Sequence, residues 1–311
     1  MNNLDPDILA TTHRDEVRAQ IARKGYRLNL VGFLVSEEKA CVTYAEYTRA
    51  SCAAVGVAFT LVRATQQDIA DRISQANADP GVHGIFIYYP IFGDARDSGI
   101  KDLVAPHKDV EGLSGYWMRK LYANERFDDP QRRHKSLLPC TPLAVLKLLE
   151  QTDARAAMGL PFEGQTVCIF NRSDVVGRPL AHMLANDGAR VYSFDLDGGV
   201  ALAPGGAGMG AGSDGAQGAP APATRDQALQ ASTVVITGVP SRQFEKVRAA
   251  ELRPGTVCLN FSSVQNFEDD AKEKAAVYIP RVGPMTIAMC LRNALRLFEN
   301  HHVQGNTHAA H

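Results

Sequence analysis

"CIFNRSDVVGRPLA", residues Cys168 to Ala181, joins an apolar run to a segment with helical spacing. A strand ending at Phe170, a short polar loop, Gly177 and then Pro179 early in a helix form a recognisable layout. It aims free backbone N–H groups and the positive end of a helix at an anion. Nucleotide-binding turns usually carry two or three glycines, and this one carries one. Strand-to-helix connections of the same outline occur without any ligand, so the loop alone is a weak signal. Asp195 adds weight. It ends the next strand 18 residues beyond Gly177, close to where a dinucleotide fold places the carboxylate that holds a ribose 2′-hydroxyl. A carboxylate there also repels a 2′-phosphate and so favours NAD over NADP. Asp197 is a second candidate for that role. A plain turn residue is the competing reading of Asp195, and Arg172 is a counter-signal, a cation able to take a phosphate.

Around this loop strands and helices alternate. "GQTVCIF", "ARVYSFD", "STVVITGVP" and "GTVCLNF" read as four strands, with helices over "GRPLAHMLAND" and "DQALQA" between some of them. This spacing predicts a doubly wound parallel sheet of Rossmann type. "TGVP", Thr237 to Pro240, closes one of those strands. By the switch-point rule its Gly238, Val239 and Pro240 line a cofactor crevice; a plain Gly-Pro turn is the alternative. Residues Gly198 to Thr224 are rich in Gly, Ala and Pro and read as a surface insertion with little to bury, not as a second phosphate loop.

Upstream, Tyr26 to Ser36 reads as a strand. "TYAEYTRASCAAVGVAFTLVRA" reads as a helix stopped by Gly56 and followed by a second strand. A helix over "QQDIADRISQANAD" breaks at Pro80-Gly81. "VHGIFIYYPIF" has the continuous apolar pattern of a strand buried on both faces. "LLPCTPLAVLKLLEQ" predicts a helix with Thr141 as N-cap and Pro142 at its first position. The fold class expected is α/β with two domains. An α/β domain spans 1–150, a Rossmann-type doubly wound parallel sheet spans 151–284, and the amphipathic C-terminal helix, about 285–311, packs back on the first domain.

The chain has 311 residues, 33 Lys plus Arg against 34 Asp plus Glu, and a net charge of −1. That balance lacks the basic field that nucleic acid or an anionic membrane would favour. No apolar run approaches the roughly 20 residues of a membrane span, and the polar N-terminus is unlike a signal peptide, so a cytoplasmic location is expected. Six cysteines without CxxC spacing read as apolar core residues with free thiols. Nine histidines form no HExxH pair, so no metal is expected. Four of the histidines, His301, His302, His308 and His311, fall in a tail read as solvated.

In the first domain Tyr44 and Thr48 lie one helical turn apart and share a face. A tyrosine there can stack on an aromatic ligand or pack in the core. "YYP" ends a buried strand, where polar tips can face a cleft. Asp109 and Glu111 in "HKDVEGL" read as ligand-binding carboxylates or as solvated charges, and by residue type alone the solvated reading is preferred.

Taken in order over nearly the whole chain, six stretches resemble the methylenetetrahydrofolate dehydrogenase/cyclohydrolase family. They are "VTYAEYTRASCAAVGV", "VHGIFIYYP", "HKDVEGL", "LLPCTPLAVLKLLE", "FNRSDVVGRPLA" and "RVGPMTIAMCLRN". The resemblance implies an N-terminal catalytic, folate-binding domain, a Rossmann-type NAD-binding domain, a substrate cleft between them and a homodimer. It further implies oxidation of 5,10-methylenetetrahydrofolate to the 5,10-methenyl form. Carried over by position, it implies a catalytic set of Tyr44, Thr48, Tyr88 and Glu111. Tyr44, Tyr88, Glu111 and Pro284 would line the substrate, with Glu111 bonding the pterin amino and ring N–H groups. Asn171, Arg172, Ser173, Val176, Gly177, Asp195, Gly238, Val239 and Pro240 would hold NAD.

The departures carry more information than the matches. Bifunctional members carry YxxxK on the first helix, with the lysine serving hydrolysis; here Tyr44 is followed by Thr48. Tyr88 stands where the strand motif has Gln, Glu111 where KDVDG has its second Asp, and Asn171-Arg172-Ser173 replaces GRS. These replacements resemble the monofunctional NAD-dependent branch of the family. Two alternatives stand beside it. One is a bifunctional NADP enzyme in which Arg172 binds the phosphate; the other is a non-catalytic protein that binds folate or dinucleotide.

Overall fold

The computed structural model describes residues 2–196, 198–205 and 224–303. The first part of the chain runs β1 (Asn2–Asn3), α1 (Pro6–Lys24), β2 (Asn29–Leu34), α2 (Lys39–Ala54), β3 (Ala58–Arg63), α3 (Ile69–Ala78), β4 (Gly84–Tyr88), α4 (Arg96–Lys101), α5 (Gly115–Tyr122) and α6 (Cys140–Leu149). It continues with β5 (Thr166–Phe170), α7 (Gly177–Asn186), β6 (Arg190–Asp195), β7 (Gly198–Leu202), α8 (Arg225–Ala231), β8 (Val234–Thr237), β9 (Val257–Asn260), α9 (Asp269–Lys274), β10 (Val277–Ile279) and α10 (Gly283–His301). By internal packing the described residues divide into two units. One takes 2–9, 119–126 and 141–286, the other 10–118, 127–140 and 287–303.

The large-sheet unit holds seven strands in the order β1-β10-β9-β8-β5-β6-β7. All neighbours are parallel except β6 and β7. Strands β5, β8 and β9 are buried along nearly their whole length, which matches their uninterrupted apolar sequence. From β5 the chain winds first to β6 on one side and later to β8 on the other. The carboxyl ends of β5 and β8 therefore flank the switch point. On one face Phe170, Val235, Cys258, Phe267 and Tyr278 form a common core with Leu229 of α8 and Ala271 of α9.

The small-sheet unit holds a parallel sheet in the order β3-β2-β4. Val31 and Phe33 of β2 and Ile85 and Ile87 of β4 pack with Ile69, Ile73 and Ala76 of α3. By the two-residue period of a strand, Gly32, Phe86 and Tyr88 face the other way. Gly32 makes room there: a Cβ on it would lie 2.5 Å from the Phe59 ring and 2.9 Å from the Tyr88 ring. The C-terminal helix packs in this unit from Ile287 onward, with Phe298 against Tyr26 at 5.2 Å and Glu299 bonded to Gln20.

Several expectations need correction. The start of the Gly/Ala-rich insertion is not featureless. Gly198–Leu202 pairs antiparallel with β6, and Gly199 is small enough to lie under the Phe194 ring. Residues 206–223 and Asp197 lie outside the described residues. Helix α6 begins at Cys140, so Thr141 is inside its first turn. The polar N-terminus forms the 19-residue α1, whose buried stripe of Ala10, Val17 and Ile21 is too thin to stand out among charges. His302 is not solvated: it is half-buried, with its ring 5.1 Å from His83 and its Nε2 3.2 Å from the His107 carbonyl. His308 and His311 lie outside the described residues. No described helix is long and apolar enough to cross a membrane.

Candidate functional site

In the small-sheet unit Tyr44 and Thr48 of α2, Tyr88 at the end of β4, and Glu111 come together. The Tyr44 and Tyr88 rings meet edge to face, 6.0 Å between centroids. Thr48 is fully enclosed, and its hydroxyl donates to the Tyr44 carbonyl at 2.9 Å, the i−4 bond of a helical threonine. The Tyr88 hydroxyl lies beside Thr48, yet it is buried without a hydrogen bond of normal geometry. Burial drives both tyrosine hydroxyls well above their ordinary value, so both stay neutral. Tyr44 presents a half-buried ring, whereas Tyr88 is almost fully covered, with an unmet polar atom at its tip.

The segment "HKDVEGL" supplies the carboxylate, and the structure overturns the solvated reading for both of its acids. Lys108 is buried and donates to the Ala76, Asn77 and Asp79 carbonyls, closing the C-terminal end of α3. Asp109 is buried and structural: one oxygen accepts the Gly112 N–H at 2.9 Å and the other the Ser114 N–H at 2.7 Å. Glu111 is half-buried, with Oε2 accepting the Ile87 N–H at 3.0 Å, which leaves Oε1 for another donor. Burial raises its carboxyl to about 8, opposed by the Ile87 N–H and reinforced by Asp109. Gly112 follows at φ 68°, and a Cβ there would lie 2.8 Å from the Leu138 carbonyl oxygen. Only glycine meets both demands.

In the large-sheet unit the opening stretch lies at the switch point. Its single glycine has a packing role: a Cβ on Gly177 would lie 2.0 Å from the Asn171 carbonyl oxygen, so the start of α7 sits directly on the end of β5. Asn171 Nδ2 donates to the Gly238 carbonyl at 2.9 Å, tying the loops after β5 and β8 together. Ser173 Oγ accepts from the Val176 and Gly177 N–H groups at 3.3 and 3.4 Å, long bonds that an anion at the helix N-terminus can replace. Arg172 is half-buried in the same loop. Asp195 ends β6 exposed, and its Oδ1 accepts the Leu196 N–H at 2.8 Å. Gly238 lies beneath the Phe261 ring, 1.9 Å from where a Cβ would be, and Val239 leads into Pro240. A helix N-terminus for a diphosphate and an exposed carboxylate for ribose hydroxyls form a donor and acceptor set that suits a dinucleotide. Pro284 is half-buried in the first turn of α10 and falls in this unit.

Sequence reasoning missed two asparagines. Asn266 is fully buried; it accepts the Val239 N–H at 2.9 Å and returns a bond to the Val239 carbonyl at 3.0 Å, fixing the Gly238 loop. Its setting, "SSVQNFEDD", is mostly polar and does not single it out. Asn293 of α10 bonds the Val110 and Leu138 carbonyls. It had one signal: it is a polar residue within an apolar helix stripe.

Fold and residue sets define a two-unit α/β protein in which a Rossmann-type sheet accompanies a smaller parallel sheet bearing two tyrosines and a carboxylate. Residues 4–111 match the catalytic-domain model of tetrahydrofolate dehydrogenase/cyclohydrolase, and residues 139–198 match its NAD(P)-binding domain model. The chain is 40% identical over 301 residues, 96% of its length and 94% of the relative's, to "Methylenetetrahydrofolate dehydrogenase [NAD(+)]" of Dictyostelium discoideum. It is 39% identical over 93% of its length and 90% of the relative's to the protein of the same name from Schizosaccharomyces pombe. Among solved structures it resembles the NAD-dependent 5,10-methylenetetrahydrofolate dehydrogenase of Saccharomyces cerevisiae, with TM-score 0.85, 36% identity and coverage of 96% and 97% of the two chains. The chain belongs to the tetrahydrofolate dehydrogenase/cyclohydrolase family.

Proposed function

We propose that this protein oxidises 5,10-methylenetetrahydrofolate to 5,10-methenyltetrahydrofolate with NAD and does not hydrolyse the product. The observation that carries the reading is the α2 pair. Tyr44 stands beside a fully enclosed Thr48, at the position where the family's hydrolysing members place a lysine. Support also comes from the Dictyostelium and fission-yeast relatives, whose names specify NAD(+).

In the oxidation a C–H bond of the bridging carbon breaks and its electron pair leaves with the hydrogen. The lone pairs of the two flanking nitrogens stabilise the cation that remains. NAD, when bound, supplies the acceptor for that hydride. No protein acid or base is required, so this chain's residues bind and orient. Tyr44 offers its ring to the pteridine, and Glu111 accepts the pterin amino and ring N–H groups through the oxygen that Ile87 leaves open. Tyr88 closes the same pocket. The N-terminus of α7, with Arg172 and Ser173, takes the diphosphate, and Asp195 takes the ribose hydroxyls and disfavours a 2′-phosphate. Hydrolysis makes different demands: water must add and protons must move before the ring opens. Thr48 brings no group that titrates near neutrality to that task.

We read the working form as a homodimer in the cytoplasm. Sedimentation and cell fractionation test those two points, and the free thiols of all six cysteines fit a reducing compartment. The activity is tested by supplying methylenetetrahydrofolate with NAD or NADP and following reduced nicotinamide and the methenyl chromophore together. Chromophore accumulating with NAD is expected. Strong NADP turnover without accumulation would favour the bifunctional alternative.

A further inference from the structure

Asn293 occupies a place where an amphipathic helix would put an apolar side chain. Met289, Cys290, Ala294 and Leu297 around it on α10 are buried, and Asn293 itself is 1% exposed. Its Nδ2 donates to the Leu138 carbonyl at 3.0 Å and to the Val110 carbonyl at 3.2 Å, and lies 3.3 Å from Cys140 Sγ. Its Oδ1 has no hydrogen-bond partner. An amide buried with one end unmet is costly, so the donor end has to account for its presence.

What that end does is visible in the ladder beside β4. Residues 108–110 begin as a further parallel strand: the Ile85 N–H donates to the Lys108 carbonyl at 2.8 Å, and Ile85 pairs with Asp109. One more rung of a parallel ladder would give the Ile87 N–H to the Val110 carbonyl. That rung is not made. The Val110 carbonyl instead accepts from Asn293 and from Cys140 Sγ, the latter at 3.2 Å, and the Ile87 N–H goes to Glu111 Oε2. Two further ties hold the segment once it has left the ladder. The Cys140 N–H donates to the Glu111 carbonyl at 3.1 Å, and Gly112 lies against the Leu138–Pro139 peptide.

We infer that Asn293 is a positioning residue for Glu111: by holding the Val110 carbonyl out of the ladder, it leaves the Ile87 N–H to fix the Glu111 carboxylate beside Tyr44 and Tyr88. The inference rests on the reading of Glu111 as the substrate-binding carboxylate. Losing the Asn293 amide frees the Val110 carbonyl to take the Ile87 N–H, which releases the carboxylate.

The test is a double-mutant cycle of Asn293→Leu with Glu111→Gln, joined to a carbon-13 titration of the Glu111 carboxyl in the ligand-free protein. Leucine fills the apolar stripe without an orphaned oxygen, and Asn293→Ser serves if that variant does not fold. The expected result is a KM for methylenetetrahydrofolate raised about tenfold or more, with kcat within about threefold and the KM for NAD unchanged. The same substitution in the Glu111→Gln background should change KM less than about twofold. Equal effects in both backgrounds, the signature of a merely structural asparagine, would overturn the inference. The titration separates this inference from the reading beneath it. If the wild type does not turn over the folate yet the Glu111 titration shifts in the Asn293 variant, the activity reading fails and the positioning stands. An unmoved titration overturns the positioning.

Discussion

Glu111 holds its proton at neutral pH because burial outweighs the single N–H that Ile87 gives it, and the carboxyl reaches about 8. In the unfolded chain a glutamate titrates near 4.3. Between those values the folded protein keeps a proton that the unfolded chain has lost. The ligand-free protein should therefore lose stability from this group as pH rises through that window, by up to about 1.4 kcal/mol per pH unit, with no further loss above the upper value. Glu111→Gln should flatten that part of the curve in urea unfolding at pH 5 to 8; an unchanged slope would show the carboxyl to be ionised throughout. A pterin that donates two N–H groups needs the ionised form. Binding at pH 7 should then release about one proton, read by calorimetry in buffers of different ionisation enthalpy. Asp195 makes a second prediction at this scale. Asp195→Ser removes the charge that would oppose a 2′-phosphate and should raise the ratio of NADP to NAD use about tenfold or more in steady-state assays. Residue identity alone could not separate the three charges of "HKDVEGL". Asp109 folds a local turn to Gly112 and Ser114, whereas Lys108 caps a helix and Glu111 is fixed near Tyr44 because partners distant in sequence, at 76–79, 85–87 and 138–140, close around them.

Strands β2, β4, β5, β8 and β9 and helices α2, α3 and α7 were legible, since each carries a clear apolar period or a continuous apolar run. Others were not. Helix α1 carries only a thin apolar stripe among its charges, β10 has three residues, and β7 is short, opens on two glycines and is held by its pairing with β6. The loop from β5 to α7 shows how one glycine does the work expected of several: Gly177 lets the helix start on the strand end, while Asn171 and Asn266 tie the neighbouring loop in place. Gly177→Ala should cost about 1–3 kcal/mol of stability, because the obstructing atom is a backbone carbonyl that cannot swing aside. It should also weaken NAD binding at least about tenfold while leaving the Glu111 titration of the other unit unmoved. Calorimetry of NAD binding checks the affinity, and urea unfolding the stability. Unchanged affinity would remove this turn from the cofactor site.

At the scale of the whole molecule, both sheets are wound outward from a first strand to either side, β2 with β3 and β4, β5 with β6 and β8. Each gathers its candidate residues near the carboxyl ends of those strands, where open α/β sheets bind ligands. That architecture was readable from alternation of pattern. The pairing of Tyr44 with Glu111 came from resemblance, and the asparagines holding each loop came only from the structure. The function turns on hydride transfer from the folate's bridging carbon to NAD. The most direct measurement is a single turnover with 5,10-methylenetetrahydrofolate carrying two deuteriums on that carbon, followed by mass spectrometry of both products. Hydride transfer places one deuterium in the reduced dinucleotide and leaves one in methenyltetrahydrofolate. Product formed with no deuterium in the dinucleotide would contradict it.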